Sequence, residues 1–218
     1  MSHPADATVA ARAGNWVARL RGFLVQPETA PVERCELCNT EIGRGHNHLV
    51  ELETNRVLCA CTPCALLFSN REAKHYRRVP MESWRLRDFK ISDSQWNAFL
   101  IPIRLAFFVR SSAQDKVRVF YPGPAGATEA NVNLAVWKEL GAANPVLEEF
   151  EPDVEALLVN RMSEARAYYR VPIDRCYHLV GLIRSRWHGL SGGEGVQDVL
   201  QSFFSDLNEE AFGRVQDA

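Results

Sequence analysis

The sequence has no surplus of charge of one sign: 25 Lys and Arg stand against 27 Asp and Glu, a formal net charge of -2 over 218 residues. That balance excludes the broad basic footprint that grips a phosphate backbone, so nucleic acid is not an expected partner. No apolar run is long enough to span a bilayer, and the start, MSHPADATVAARAGNW, has no cationic head followed by an apolar stretch. Neither membrane insertion nor a secretory signal is expected, and the protein reads as cytoplasmic. There is no G-x4-G-K-[ST] phosphate loop, so LSGGE at Leu190 to Glu194, though it matches an ABC-transporter signature, has no ATP cradle and reads as a glycine-rich turn.

A catalytic constellation is also lacking. Glu151, Asp153 and Glu155 in EPDVEALLVNR lie close together without a matching acid or base, and read as surface carboxylates. FYPGPAGATEA, Phe120 to Ala130, could line a pocket with Thr128 and Glu129, but turn chemistry explains its Pro and Gly equally well. The chain is therefore not expected to be an enzyme.

What the sequence does have is cysteine in one place. CELC supplies Cys35 and Cys38, and LCACTPCALLF supplies Cys59, Cys61 and Cys64, while Cys176 stands far away. Cytoplasmic thiols stay reduced, so such a cluster points to metal or redox chemistry rather than disulfides. Cys35-x2-Cys38, 22 residues and Cys61-x2-Cys64 is a metal-ligand spacing, because each pair takes two adjacent vertices of a tetrahedron.

The residues after each pair bear on the metal. Asn39 tolerates the left-handed backbone that a knuckle needs just past its second cysteine. Ala65 after Cys64 does not, and Pro63 stands where the first turn of a helix accepts proline. One knuckle, a hairpin through HLVELETNRVL and a helix opening at Cys64 make a treble-clef-like zinc module. The helix N-terminus favours thiolate. Zn2+ is then preferred over Fe, whose rubredoxin-type sites use two knuckles. Four thiolates close the coordination sphere and make the role structural. An iron–sulfur cluster is the further alternative.

Cys59 is the fifth thiol. It stands two residues before Cys61, so on a continuing strand both would face the same way, which makes Cys59 an alternative ligand, a small buried residue or a spare thiol. His46 and His48 are alternative ligands or solvated turn residues. HNH at His46 to His48 spells a nuclease motif, but the helix that would carry polar metal ligands reads ALLF.

Three regions are expected. Residues 1–32 hold a disordered start and a short amphipathic helix with Trp16, Leu20, Phe23 and Leu24 on one side, ended by Pro27; 33–82 hold the metal module and a charged linker with a strand at Tyr76 to Val79; 83–210 hold an α+β domain. In the last, LAFFVRSS and VRVFYP flank AQDK as a hairpin, and Asn133 caps a helix with Trp137 and Leu140. A shift of 50 residues lays Pro102 on Pro152, Phe107 and Phe108 on Leu157 and Leu158, Pro122 on Pro172 and Trp137 on Trp187. Two ββα units in one antiparallel sheet with helices on one face are expected. A C-terminal helical hairpin follows, capped by Asp174, carrying Cys176 on its apolar face and turning at Gly189.

CELC, LCACTPCALLF, FYPGPAGATEA, EPDVEALLVNR and VPIDRCYHLVGLIRSRWHGLSGGE together resemble, over roughly residues 33–207, a family of unknown function encoded beside high-affinity uptake [NiFe] hydrogenases. The resemblance implies a context of hydrogenase assembly, cluster delivery or electron transfer, with hydrogenase subunits or maturation factors as partners. It supplies no catalytic residues, and matches Cys35, Cys38, Cys59, Cys61 and Cys64 as candidate ligands. The expected function is a non-enzymatic metal-binding accessory protein. The alternatives are a rubredoxin-like iron electron carrier and a nucleic-acid-binding zinc finger using Arg34, Arg44, Arg56, Arg77 and Arg78.

Overall fold

Two strands, Leu105–Ser111 and Glu155–Asn160, bury nearly every residue on both sides. A strand of that kind needs a packed layer over each face of its sheet. A computed structural model supplies both layers; it describes residues 32–69, 74–162, 166–187 and 194–218. The amphipathic helix expected before Pro27, and most of LSGGE with Gly189, lie outside the described residues. Arg34–Ala218 make one compact unit.

The chain first forms β1 (Asn47–Glu51), β2 (Arg56–Ala60), helix α1 (Thr62–Leu67) and β3 (Tyr76–Arg78), a small antiparallel sheet of order β2-β1-β3. Asn55, at φ 58, makes the left-handed step in the β1–β2 turn that asparagine tolerates. Next come β4 (Trp84–Arg87), α2 (Asp93–Ala98), β5 (Leu105–Ser111), β6 (Lys116–Gly123), β7 (Gly126–Ala130) and α3 (Leu134–Ala143). After a 3-10 turn at Pro145–Glu149 follow β8 (Glu155–Asn160), β9 (Ala167–Pro172), α4 (Ile173–Arg186), α5 (Glu194–Glu210) and β10 (Val215–Asp217). These strands form a second sheet of order β10-β4-β9-β8-β5-β6-β7, antiparallel except for the β10–β4 pair. Among the described residues no helix is long and apolar enough to cross a membrane.

The β5–β6 hairpin forms where expected, and Asn133 caps α3 by accepting from the N–H groups of Ala135 and Val136. FYPGPAGATEA is no open loop. It forms the end of β6 and all of β7, with Glu129 bound by Arg118 through two bonds of 2.9 and 2.8 Å. The α4 start is also corrected: the helix runs directly out of β9 with Pro172 at its cap, and Asp174 sits in its first turn.

The expected single helical face is replaced by two. Leu105, Phe107, Val109, Ala156 and Leu158 face α4 and α5, which add Ile173, Leu179, Ile183, Phe203 and Leu207. Ala106, Phe108, Leu157 and Val159 face α2 and α3, which add Trp96 and Leu140. Each such Leu or Phe withdrawn from water contributes about 1.5–3 kcal/mol. The ladder shows why an offset of 50 could not give one face. Phe107 lies opposite Leu158, and Phe108 opposite Leu157, so Phe107 and Leu157 point to opposite sides. Rotating one hairpin onto the other within a sheet keeps each residue on its face, which requires an odd offset.

The small sheet shares the first of these cores. Val50, Leu52 and Val79 are buried with the α4 face of the large sheet. A polar clasp reinforces the junction. Arg77 of β3 donates from Nη1 to Asp153 Oδ2 and to the Pro152 carbonyl, each at 2.8 Å. Ser112 donates its N–H to Asp153 Oδ1 at 2.9 Å and its hydroxyl to Oδ2. Asp153 and Glu155, expected at the surface, are buried. Glu155 is held by Arg170 at 2.8 and 2.7 Å. Buried carboxylates are retained when paired and hydrogen-bonded, and both partners lie too far along the chain to be paired from local pattern.

Candidate metal centre

The two cysteine pairs reach one point by different local means. At the first pair the chain turns back on itself: the Cys35 N–H donates to the Thr40 carbonyl at 2.8 Å, and the Asn39 N–H to the Cys35 carbonyl at 2.8 Å. Asn39 takes φ 61, the left-handed step expected just past the second cysteine. At the second pair Cys61 is extended and caps α1, Pro63 lies in the first turn, and the Ala65 N–H donates to the Cys61 carbonyl at 2.9 Å. Cys64 therefore stands inside the first turn, as the position of Pro63 implied.

The sulfur atoms of Cys35, Cys38, Cys61 and Cys64 all lie within 4.8 Å of one another, with 3.6 Å between Cys38 and Cys61. Such a set can hold a metal ion. Cys35 is buried and Cys38 is exposed. Glu36, within CELC, ties the first pair to the strand that leads to the second. Its N–H donates to the Cys59 carbonyl at 2.9 Å, and its carboxylate accepts from the Cys59 N–H at 2.7 Å and from Arg56 at 3.2 Å. In the sequence the one local mark of Glu36 is its place between the two cysteines of CELC, because its partner Cys59 lies 23 residues away.

The electrostatics of the four thiols are divided. Burial pushes the Cys35 thiol up, but backbone hydrogen bonds from Cys61, Cys38 and Leu37 outweigh it and bring the thiol down to about 6. The Thr40 hydroxyl, followed by the Thr40 backbone, lowers Cys38. Hydrogen bonding with Cys61, with burial next, pushes Cys64 up to about 12. Four thiols this close cannot all ionise against one another, and a cation among them removes the conflict.

Cys59 does not join this set. It lies opposite His48 in the β1–β2 ladder, on the side away from Leu58 and Ala60, which are buried in the small core with Cys35. The expectation that Cys59 and Cys61 face the same way fails because β2 ends at Ala60, and Cys61 has already turned into the helix cap. Donor atoms of Cys59, His46 and His48 form a second group, also within 4.8 Å of one another. Cys176 stands apart, buried in α4, where desolvation pushes its thiol well up.

The segment that carries both groups matches a known family model. The model of DUF5947, a family of unknown function, matches residues 34–211. The chain belongs to that family. No curated protein and no solved structure matches it. The DUF5947 match begins one residue before Cys35 and runs to the end of α5, so both donor groups and nine of the ten strands fall within it.

Proposed function

We propose that this DUF5947 protein is a non-enzymatic accessory protein, and that Cys35, Cys38, Cys61 and Cys64 bind a structural Zn2+ in a treble-clef-like module. One observation carries the reading: four sulfurs converge from a tight turn at one pair and a helix N-terminus at the other. A second tight turn, as in rubredoxin-type iron sites, is not how Cys61 and Cys64 are presented. Four thiolates leave no open position for a substrate, which makes the ion's contribution one of folding. Arg34, Arg56, Arg77 and Arg78 are engaged with Glu41, Glu36, Asp153 and Asn47, and this weighs against a nucleic-acid-binding finger.

The partner is a protein. Leu66 and Leu67, 59% and 75% exposed on α1 beside the cysteines, support that reading. The resemblance of the cysteine and C-terminal motifs makes hydrogenase subunits or maturation factors the class to test, in the cytoplasm.

Elemental analysis and an optical spectrum of anaerobically purified protein test the metal. Zinc without visible absorption is expected, and Cys61→Ser with Cys64→Ser should lose the equivalent held by the four cysteines. Visible bands that bleach reversibly with dithionite would replace zinc by iron and the structural role by electron transfer. Co-purification from cells expressing a [NiFe] hydrogenase and its maturation factors tests the partner; recovery of neither overturns that part alone.

A further inference from the structure

The opposite side of the β1–β2 hairpin carries its own donor set. His48 of β1 and Cys59 of β2 are cross-strand partners, and His46 lies just before β1 with its ring edge-on to His48, centroids 4.7 Å apart. Directly opposed residues in an antiparallel pair project side by side, so the ladder itself brings an imidazole and a thiol together. The three donor atoms lie within 4.8 Å of one another.

Both rings are oriented through Nδ1. His48 Nδ1 donates to Asp174 Oδ2 in the first turn of α4 at 2.7 Å, and His46 Nδ1 donates to the Gly43 carbonyl at 3.0 Å. A carbonyl or carboxylate oxygen only accepts, so each Nδ1 carries a proton, and in the neutral ring Nε2 is the atom with a lone pair to offer. Metal-ligating histidines are held in this way, with the far ring nitrogen bound to a carboxylate or backbone oxygen that fixes tautomer and orientation. Asp174 is held in turn by the Arg175 N–H at 2.8 Å.

We propose that His46, His48 and Cys59 form a second metal site, distinct from the four-cysteine set, for an ion that accepts nitrogen and sulfur together, Zn2+ first among them. Two imidazoles and one thiolate suit a borderline ion and exclude the oxygen-preferring Mg2+ and Ca2+. Three protein ligands leave the fourth tetrahedral position to an outside donor, water or a side chain of a partner. The His48 side chain is 26% exposed, which gives that donor a way in. Asp174 is a positioning residue, acting through His48. The inference stands whether or not the four cysteines hold zinc.

The full-length protein, stripped of metal under anaerobic conditions, is titrated with Zn2+ against a chromophoric chelator and with Co2+ followed by its visible bands. Two equivalents per chain are expected. His46→Ala with Cys59→Ser should remove one and leave the four-thiolate Co2+ spectrum, whereas Cys61→Ser with Cys64→Ser should remove the other and leave bands of mixed nitrogen and sulfur ligation. Asp174→Asn keeps all three ligands, and should weaken only the second equivalent, by about 10–100-fold. Wild-type Co2+ protein without bands of mixed nitrogen and sulfur ligation, or metal binding that is unchanged in His46→Ala with Cys59→Ser, overturns the site. Unchanged affinity in Asp174→Asn overturns its positioning role.

Discussion

Replacing Arg77 by Met should destabilise the protein by about 3 kcal/mol, the low end of the 3–5 kcal/mol lost when one partner of a buried ion pair is removed. The low end applies because Asp153 keeps its two bonds from Ser112 after Arg77 is gone. The loss is still large because the Asp153 side chain is only 1% exposed, so water cannot replace the guanidinium. Methionine fills much of the space of the arginine stem, which separates charge loss from cavity formation. Urea unfolding followed by tryptophan fluorescence measures the change as a shift in midpoint at constant slope. Removing the carboxylate as well, in Arg77→Met with Asp153→Ala, should recover much of the loss, since no uncompensated charge remains. A single-variant loss below about 1 kcal/mol would place the pair among weak surface ion pairs and refute the reasoning. A double variant as unstable as the sum of the singles would refute it too, because the penalty would then not lie in the orphaned charge.

Two further outcomes follow from the cysteine site. Asn39→Gly should leave metal affinity unchanged, whereas Asn39→Val, forcing a β-branched residue to φ 61, should weaken the four-cysteine site by the ~1–2 kcal/mol that a left-handed residue incurs, roughly tenfold; competition with a chelator reads both. In metal-free protein the Cys35 thiol is depressed from an ordinary value of 9.0 to about 6. A depressed acidic group adds stability that is complete above its unfolded pKa and lost as pH falls through its folded value. Thiolate absorbance should therefore fall near pH 6, while the linked stability is lost progressively as pH falls from about 9 to about 6, and Cys35→Ser should reduce both; titration only near 9 would contradict this.

The parts of the fold legible in the sequence are those set by neighbours along the chain. Asn39 and Pro63 marked a turn at one cysteine pair and a helix start at the other, and the backbone at both positions agrees. LAFFVRSS, AQDK and VRVFYP spelled their hairpin, and Asn133 its cap, for the same reason. What stayed hidden was set by distance. Asp153 and Glu155 look like solvent carboxylates until Arg77 and Arg170 arrive from other strands. The second helical layer was hidden because near-continuous apolar runs such as LAFFV carry no alternation, so nothing local says how many faces are covered.

The five clustered cysteines show the same division on a smaller scale. Spacing alone grouped Cys61 with Cys64 and left Cys59 as a surplus thiol, and the assumption that it faced with Cys61 made it a competitor for the same ion. The hairpin separates them. A β-strand sends alternate residues to opposite faces, and β2 ends at Ala60, so Cys59 is committed to the side of His48 while Cys61 is released into the cap of α1. One short strand thereby serves two donor sets of different chemistry: four sulfurs, enough to close a tetrahedral coordination sphere, and two imidazoles with one sulfur, which would leave a position open. The second set also meets Asp174, which belongs to the large sheet's helix layer, whereas the first is built wholly within residues 35–64. A metal bound at the first set would therefore be coupled to folding of the small sheet, and one bound at the second to its seating on α4.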